Sequence, residues 1–463
     1  MSLPLLFADD GGSQLLSSIF TVLLLQLLVA FLFAFLFPIT SAAIINYLER
    51  KIMAWMQDRQ GPLHTGPQGS LQLVADVGKM LLKEDVHPAS SDKLVFLLAP
   101  SAFIAPMVAS FAVLPFSPFL GLPGTALATG IVYLVALSSM DVIGVIMAGW
   151  GSNNKYSLMG GLRSAAQMIS YELPLVLSLV GVMMLTSVLA GTAGYAGNSS
   201  IGTISIKEIM TFQNGSVWPG KGIAFFDFLF KGDTPWAWFI LVQPLMLLIY
   251  YICGLAETNR SPFDLPEAES ELVAGYLTEY SGVRWAMFFL GEYGNMTIVS
   301  AITTSLFLGG WAGPGVGWLT APGMAAGWQL LGNILGVIYF ITKVYLLCAV
   351  FIWVRATLPR LRGDQLMQFA WLILMPATLG NILLTGLLYL VVSGLGGSSL
   401  VFLLVVGVIN WGLFFGFIRI VGRATAATTR RAQAPALRVR MRREKLAQLP
   451  EQLEVAGEAK LVK

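Results

Sequence analysis

Two cysteines and two histidines in 463 residues leave little from which to build a metal or redox centre. Cys253 and Cys348 stand far apart inside apolar runs, so they form neither a CxxC pair nor the four-thiolate set of an iron–sulfur cluster. His64 and His87 share one polar loop instead of facing each other across two helices. Gly78-Lys79 is followed by Met80 where a phosphate-binding loop needs Ser or Thr, and no glycine-rich dinucleotide fingerprint follows a strand. The expectation is no metal site, no cofactor bound by this chain alone and no complete active site within it. Redox chemistry has to come from a partner chain or a diffusible carrier.

Charge is equally scarce. Asp, Glu, Lys and Arg make up 11% of the chain and hydrophobic residues 56%, against about 25% charged residues in soluble domains. This composition belongs to an integral membrane protein. A helix needs about 20 residues to cross a hydrocarbon layer of roughly 30 Å, and nine runs qualify: 16–45, 94–114, 125–148, 165–190, 236–257, 285–309, 328–354, 366–392 and 399–420. They lack the strict alternation of barrel strands, and backbone groups in lipid must be satisfied within each segment. The predicted fold is all-α, a polytopic membrane bundle over 1–422 with about nine transmembrane helices, followed by a polar tail at 423–463. No basic residue precedes Arg50, so the first run lacks the start of a signal peptide and is expected to remain as a long, tilted or projecting helix.

The connections after the odd-numbered runs hold 23 of the 28 Lys and Arg residues, which places them in the cytoplasm with the N-terminus outside and the C-terminal tail inside. The tail is expected to lie against anionic lipid, and a segment tethered there points away from nucleic acid. In the first cytoplasmic loop, 46–58 and 69–84 show apolar residues at helical spacing, as interfacial helices do, with a Gly/Pro turn over 61–69 between them.

A few charges lie where lipid would not tolerate them. Asp141, Glu172, Glu292 and Lys343 fall inside runs, and Glu257 sits at the inner end of the fifth. An ionised acid near a helix centre costs roughly 2.5–3.5 kcal/mol on insertion scales, so these side chains are expected to line a polar interior. Between Gly254 and Tyr280 the chain gathers Glu257, Asp264, Glu267, Glu269, Glu271 and Glu279 against the single cation Arg260. Pro262 and Pro266 interrupt it, after which Glu267 to Tyr280 reads as a short helix with Glu267 and Glu271 on one face. A solvated acidic loop is the plain explanation. The run is nevertheless continuous with intramembrane carboxylates at both ends, which favours a chain of titratable groups leading from the cytoplasmic face into the bilayer.

The stretches YLERKIMAWMQDRQGP, GSLQLVADVGKMLLKED, GWGSNNKYSLMGGLRSAAQMISYE, ETNRSPFDLPEAESELVAGYLTEYSG, FFLGEYGNM and WVRATLPRLRGDQLM, in that order, resemble the signature loops of the H subunit of bacterial NADH:quinone oxidoreductase, respiratory complex I, whose mitochondrial equivalent is subunit 1. The resemblance covers roughly 40–420. It implies a subunit of the bacterial inner membrane that joins the membrane arm to the peripheral arm, forms much of the quinone chamber and contacts both peripheral quinone-site subunits and adjacent membrane subunits. Quinone is then the substrate, while FMN and the iron–sulfur clusters belong to partner subunits. Carried over residue by residue, the quinone-chamber positions are Glu49, Arg50, Arg59 and Asp76. The acidic proton path falls on Tyr171, Glu172, Glu257, Asp264, Glu267, Glu269, Glu271 and Glu292, with Arg260, Arg355, Arg360 and Arg362 as basic partners. Asp141 matches no motif of that family, so its function stays open. The alternative is the membrane anchor of a related hydrogenase-type complex that uses no quinone; the full ETNRSPFDLPEAESELV run favours the quinone enzyme.

Overall fold

A computed structural model describes residues 35–117, 127–190, 203–213, 238–265, 274–320, 325–396 and 401–423. Every regular element among them is helical. The chain falls into two units, Met1–Gly407 and Val408–Lys463. The second is described only over 408–423, the latter part of a helix on which Trp411 packs its ring near Phe414 and Phe415. The tail beyond 423 and Glu267, Glu269 and Glu271 lie outside the described residues.

In the first unit, helix α1 (35–56) runs without a break from the first apolar segment through the start of the polar loop. Helix α2 (Gln72–Leu82) follows a tight turn at Pro67–Gly69 and leaves the apolar side chains of Val74 and Leu81 exposed. Then come α3 (Lys93–Phe111), α4 (Gly130–Gly151), α5 (Lys155–Ala190) and the short α6 (Ile206–Gln213). Next are α7 (Pro244–Glu257), α8 (Gly282–Phe307) and α9 (Ala326–Thr357). Helix α10 covers Gly363–Gly394, and α11 begins at Val401. Asp92 starts α3 by accepting the amide of Leu94 at 3.3 Å, satisfying a donor that the first turn cannot. Within α10 a π-helical turn at Ala370–Leu374 precedes Pro376. Proline has no amide hydrogen and its ring crowds the carbonyl four residues back, and widening the turn relieves that conflict.

Among the described residues, six helices are long and apolar enough to cross a membrane: Lys93–Phe111, Gly130–Gly151, Lys155–Thr186, Gly327–Thr357, Gly363–Gly394 and Val401–Arg423. The run at 236–257 instead forms the fourteen-residue α7, because Gln243 and Pro244 separate it from the single turn Phe239–Val242. The run at 285–309 becomes α8, which has the length but not the apolarity. From Gly291 to Phe307 every residue of α8 is buried, so protein rather than lipid surrounds it. Thr297, Ser300, Thr303, Thr304 and Ser305 each donate to the carbonyl four residues back, which satisfies their hydroxyls within the helix.

The bundle packs α3 against α4, α4 against α5, α5 against α7, and α8 against α3 and α9. Small residues permit these approaches. A Cβ on Gly144 of α4 would lie 2.8 Å from the backbone nitrogen of Phe103 on α3. One on Gly160 of α5 would lie 2.5 Å from the Cα of Gly275. Gly275 has φ +57° and starts a single 3-10 turn, Gly275–Leu277, so the described end of the segment read as a helix to Tyr280 is a turn wedged against α5.

Lys343 departs from the expectation that the intramembrane charges line a hydrated interior. Its ammonium donates to the carbonyls of Leu308, Gly310 and Ala312 at 2.8, 3.0 and 2.7 Å and lies 4.3 Å from the centre of the Trp238 ring. It thus meets the negative end of the α8 dipole and the carbonyls just beyond it. Replacing Lys343 with Met should cost about 1.5–3 kcal/mol, the range for hydrogen bonds to a charged group, and lower the unfolding temperature of the purified protein; an unchanged temperature would contradict this capping role.

Candidate functional site

Where α1 leaves the bundle, its last turns form a wall with the loop over 57–62 and the first half of α8. Between them lies a cavity of about 540 Å³ lined by Glu49, Arg50, Arg59, Phe289, Tyr293 and Arg355 among others. Three of the four predicted chamber residues lie on its wall. The fourth, Asp76 on α2, stands behind it: it accepts from Arg50 at 2.5 Å and from Gln72 at 3.0 Å. The exposed Arg59 donates to Gln57 at 2.7 Å, leaving further guanidinium hydrogens for a ligand. Aromatic rings and apolar stems beside a few charged groups suit a substrate with a polar head and a greasy body.

Glu49 is 6% exposed and opens the second part of the site. Its carboxylate accepts from Tyr293 Oη at 2.8 Å and from Arg355, and faces Arg260 at 4.0 Å. Arg260 also faces Glu292 at 3.5 Å, and Tyr276 donates to Glu292 at 3.1 Å. The Arg260 guanidinium lies over the Tyr293 ring, 4.2 Å from its centre. Among the described residues, two carboxylates, two guanidiniums and two phenols thus form one cluster in which the formal charges balance, with Glu49, Arg260 and Glu292 each at most 6% exposed. Pairing is what makes such burial tolerable.

The remaining predicted residues are distributed around this cluster. Asp264 pairs with Arg360 at 2.6 Å, and Leu361 donates its amide to the carbonyl of Pro262, so the segments after α7 and α9 are tied together. Arg362 is exposed and forms no ion pair among the described residues. Tyr171 is fully buried and donates to the Leu366 carbonyl at 2.8 Å, with its ring against Phe263. Glu172, next along α5, accepts from Ser139 of α4. Glu257 ends α7 and lines a second, small cavity shared with Asp141.

Sequence patterns alone do not single out Tyr276, Tyr293, Phe289 and Asn295. The last three stand in FFLGEYGNM, where polar and aromatic residues flank an intramembrane acid and mark a helix face turned inward. No group of three or more His, Cys, Asp or Glu among the described residues is placed to hold a metal ion.

Arg260 is the keystone of the charge cluster. Arg260→Met should destabilise the fold by about 3–5 kcal/mol by stranding buried carboxylates, and adding Glu292→Gln should recover part of the loss. Thermal unfolding of the single and double variants measures both effects; a single variant as stable as the parent would show that the cluster does not hold the fold.

The profile of the NADH dehydrogenase family matches residues 28–386. The H subunit of the NADH-quinone oxidoreductase of Dehalococcoides mccartyi is 41% identical over 399 residues, which is 86% of this chain and 95% of the relative. The corresponding protein of Geobacter sulfurreducens is 40% identical over 77% of this chain and 92% of its own length, and that of Brevibacillus brevis 43% identical over 82% and 94%. With the profile covering most of the chain and such relatives matched over nearly their full lengths, the chain belongs to the NADH dehydrogenase family, as a subunit of an oxidoreductase complex and not an enzyme by itself.

Proposed function

We propose that this chain forms the quinone-access chamber of a proton-pumping NADH:quinone oxidoreductase and the first part of an acidic coupling path at the junction with the peripheral arm. The observation that carries the reading is the shared wall: Glu49 lines the 540 Å³ cavity and also belongs to the buried charge cluster. A quinone head group in that cavity has Arg59 and Arg50 as hydrogen-bond donors, while Phe289 and Met53 offer apolar contact. Flavin and iron–sulfur clusters sit in partner subunits in this reading, and electrons reach the quinone from a neighbouring peripheral subunit. The bundle lies in the bacterial inner membrane with the cavity toward the cytoplasm, the N-terminus outside and the tail inside.

Reduction of a quinone to its quinol takes up two electrons and two protons and ends neutral, so the charge beside Glu49 changes during turnover between the arrival of the electrons and that of the protons. Two unit charges about 4 Å apart interact by about 4 kcal/mol at an effective dielectric constant of about 20. The 4.0 Å between Arg260 and Glu49 is therefore short enough for a charge change to alter how strongly Arg260 holds Glu292. From Glu292 the acidic series continues through Glu257 and Glu172, with Asp264, Glu267, Glu269 and Glu271 on the loop side.

Arg59→Ala should lower quinone reductase activity about tenfold or more, with a raised apparent KM for quinone, while the complex assembles normally. Activity and KM both at parental values in a verified intact complex would remove the quinone assignment. Glu257→Gln keeps the shape of the side chain and removes its proton exchange. It should cut proton translocation severalfold in an assembled complex, as read by acidification on quinone reduction; a parental proton gradient in that variant would remove the path.

A further inference from the structure

We infer that Asp141 is a further proton-binding site of this protein, exchanging with Glu257 through a water-sized cavity lined mainly by α4 and α8. The inference rests on the proton-path reading of Glu257 and deepens it. Asp141 is 2% exposed. Its Oδ2 accepts from the side-chain amide of Asn295 at 2.6 Å, while its Oδ1 is buried with no hydrogen-bond partner among the described residues. A buried carboxylate oxygen without a donor is costly. The carboxyl lines a cavity of about 30 Å³, and a water needs roughly 10–15 Å³ measured in this way, so about two waters fit.

The wall supplies the polar partners that such waters require. Helix α3 offers Ser110, α4 Ser138 and Asp141, α7 Tyr250 and Glu257, and α8 Asn295. Helix α5 gives Leu175 and Leu179, and α6 gives Ile206; the nearby acid of α5, Glu172, is engaged by Ser139. No Lys or Arg among the described residues lines the cavity. A structural ion pair would put a cation there. Two carboxylates around a small cavity without one are suited to holding a proton and passing it between them.

The transfer balances as a relay. The O–H bond of a protonated Glu257 breaks, a water takes that proton and releases one of its own, and a new O–H forms at Asp141 Oδ1, leaving Glu257 a carboxylate and the water unchanged. Asn295 is a positioning residue: its donor occupies Oδ2, which leaves Oδ1 to receive the proton.

The test uses the assembled complex. Asp141→Asn should lower the ratio of protons translocated to electrons transferred at least twofold and remove an infrared carboxylic C=O band that shifts in D₂O, with Asp141→Glu restoring both. A merely structural Asp–Asn contact would leave the ratio unchanged, with or without the band in the parent protein, and an unchanged ratio overturns the inference. If Glu257→Gln impairs pumping and Asp141→Asn does not, Asp141 alone falls; if neither impairs it, the path itself falls. Should Asp141→Asn fail to assemble, Ser138→Val, which fills the cavity and keeps both carboxyls, is expected to impair pumping, and normal pumping in that variant overturns the relay.

Discussion

Arg260 carries a charge that it cannot give up, and it is buried. A guanidinium stays protonated under any physiological condition, so the fold around it must bring counter-charges from elsewhere or lose several kcal/mol. It brings Glu49 from α1 and Glu292 from α8, while Arg260 itself follows the end of α7 after Asn259, whose φ of +50° turns the chain. Three elements distant in sequence are thereby fixed to one another. Arg355, at the end of α9, adds a fourth through Glu49. The cavity wall is rigid because the groups behind it cannot separate without exposing a charge to an apolar interior.

The same requirement explains why the most polar long helix is enclosed by protein. Helix α8 carries Glu292, Asn295 and a run of Ser and Thr, none of which suits lipid, and its neighbours shield it on all sides from Gly291 onward. Lys343 closes its C-terminal end by binding the carbonyl of the cap residue Leu308 and those of Gly310 and Ala312 just beyond. Glu292 and Asn295 stand three residues apart, a rise of roughly 4.5 Å. About one turn of a single helix therefore separates the charge cluster at Glu49 from the carboxyl pair of Asp141 and Glu257.

Much of this was legible in the amino acids themselves. Composition alone points to an all-helical membrane bundle, since apolar runs of about 20 residues have few other uses. The intramembrane acids announce themselves by their cost. Hydropathy does not reveal the surroundings of α8 or the break before α7: α8 is surrounded by protein, and Gln243 and Pro244 shorten α7. Nor does spacing reveal that Lys343 caps a helix, because its partners are backbone carbonyls that leave no mark on side-chain identity. The pairing of Glu49 with Arg260 and Arg355 spans more than two hundred residues, and no local pattern encodes it. Tyr276 and Tyr293 are hidden for a related reason: an aromatic on a membrane helix is ordinarily packing, and only the carboxylates opposite their hydroxyls distinguish them.

The two polar centres on α8 differ in the response they permit. Around Glu49 and Glu292 the cations are arginines, which hold their protons, so a change of charge in the adjoining cavity is met by reorienting fixed charges. Around Asp141 and Glu257 the described residues put no cation on the cavity wall, only carboxyls, hydroxyls and an amide among its polar groups. A change of field there is met most cheaply by moving a proton, because an added negative charge has no partner and a neutral carboxyl needs none. In the function proposed, with the centres one helical turn apart, the first converts a chemical event in the cavity into an electric field, and the second converts that field into proton movement.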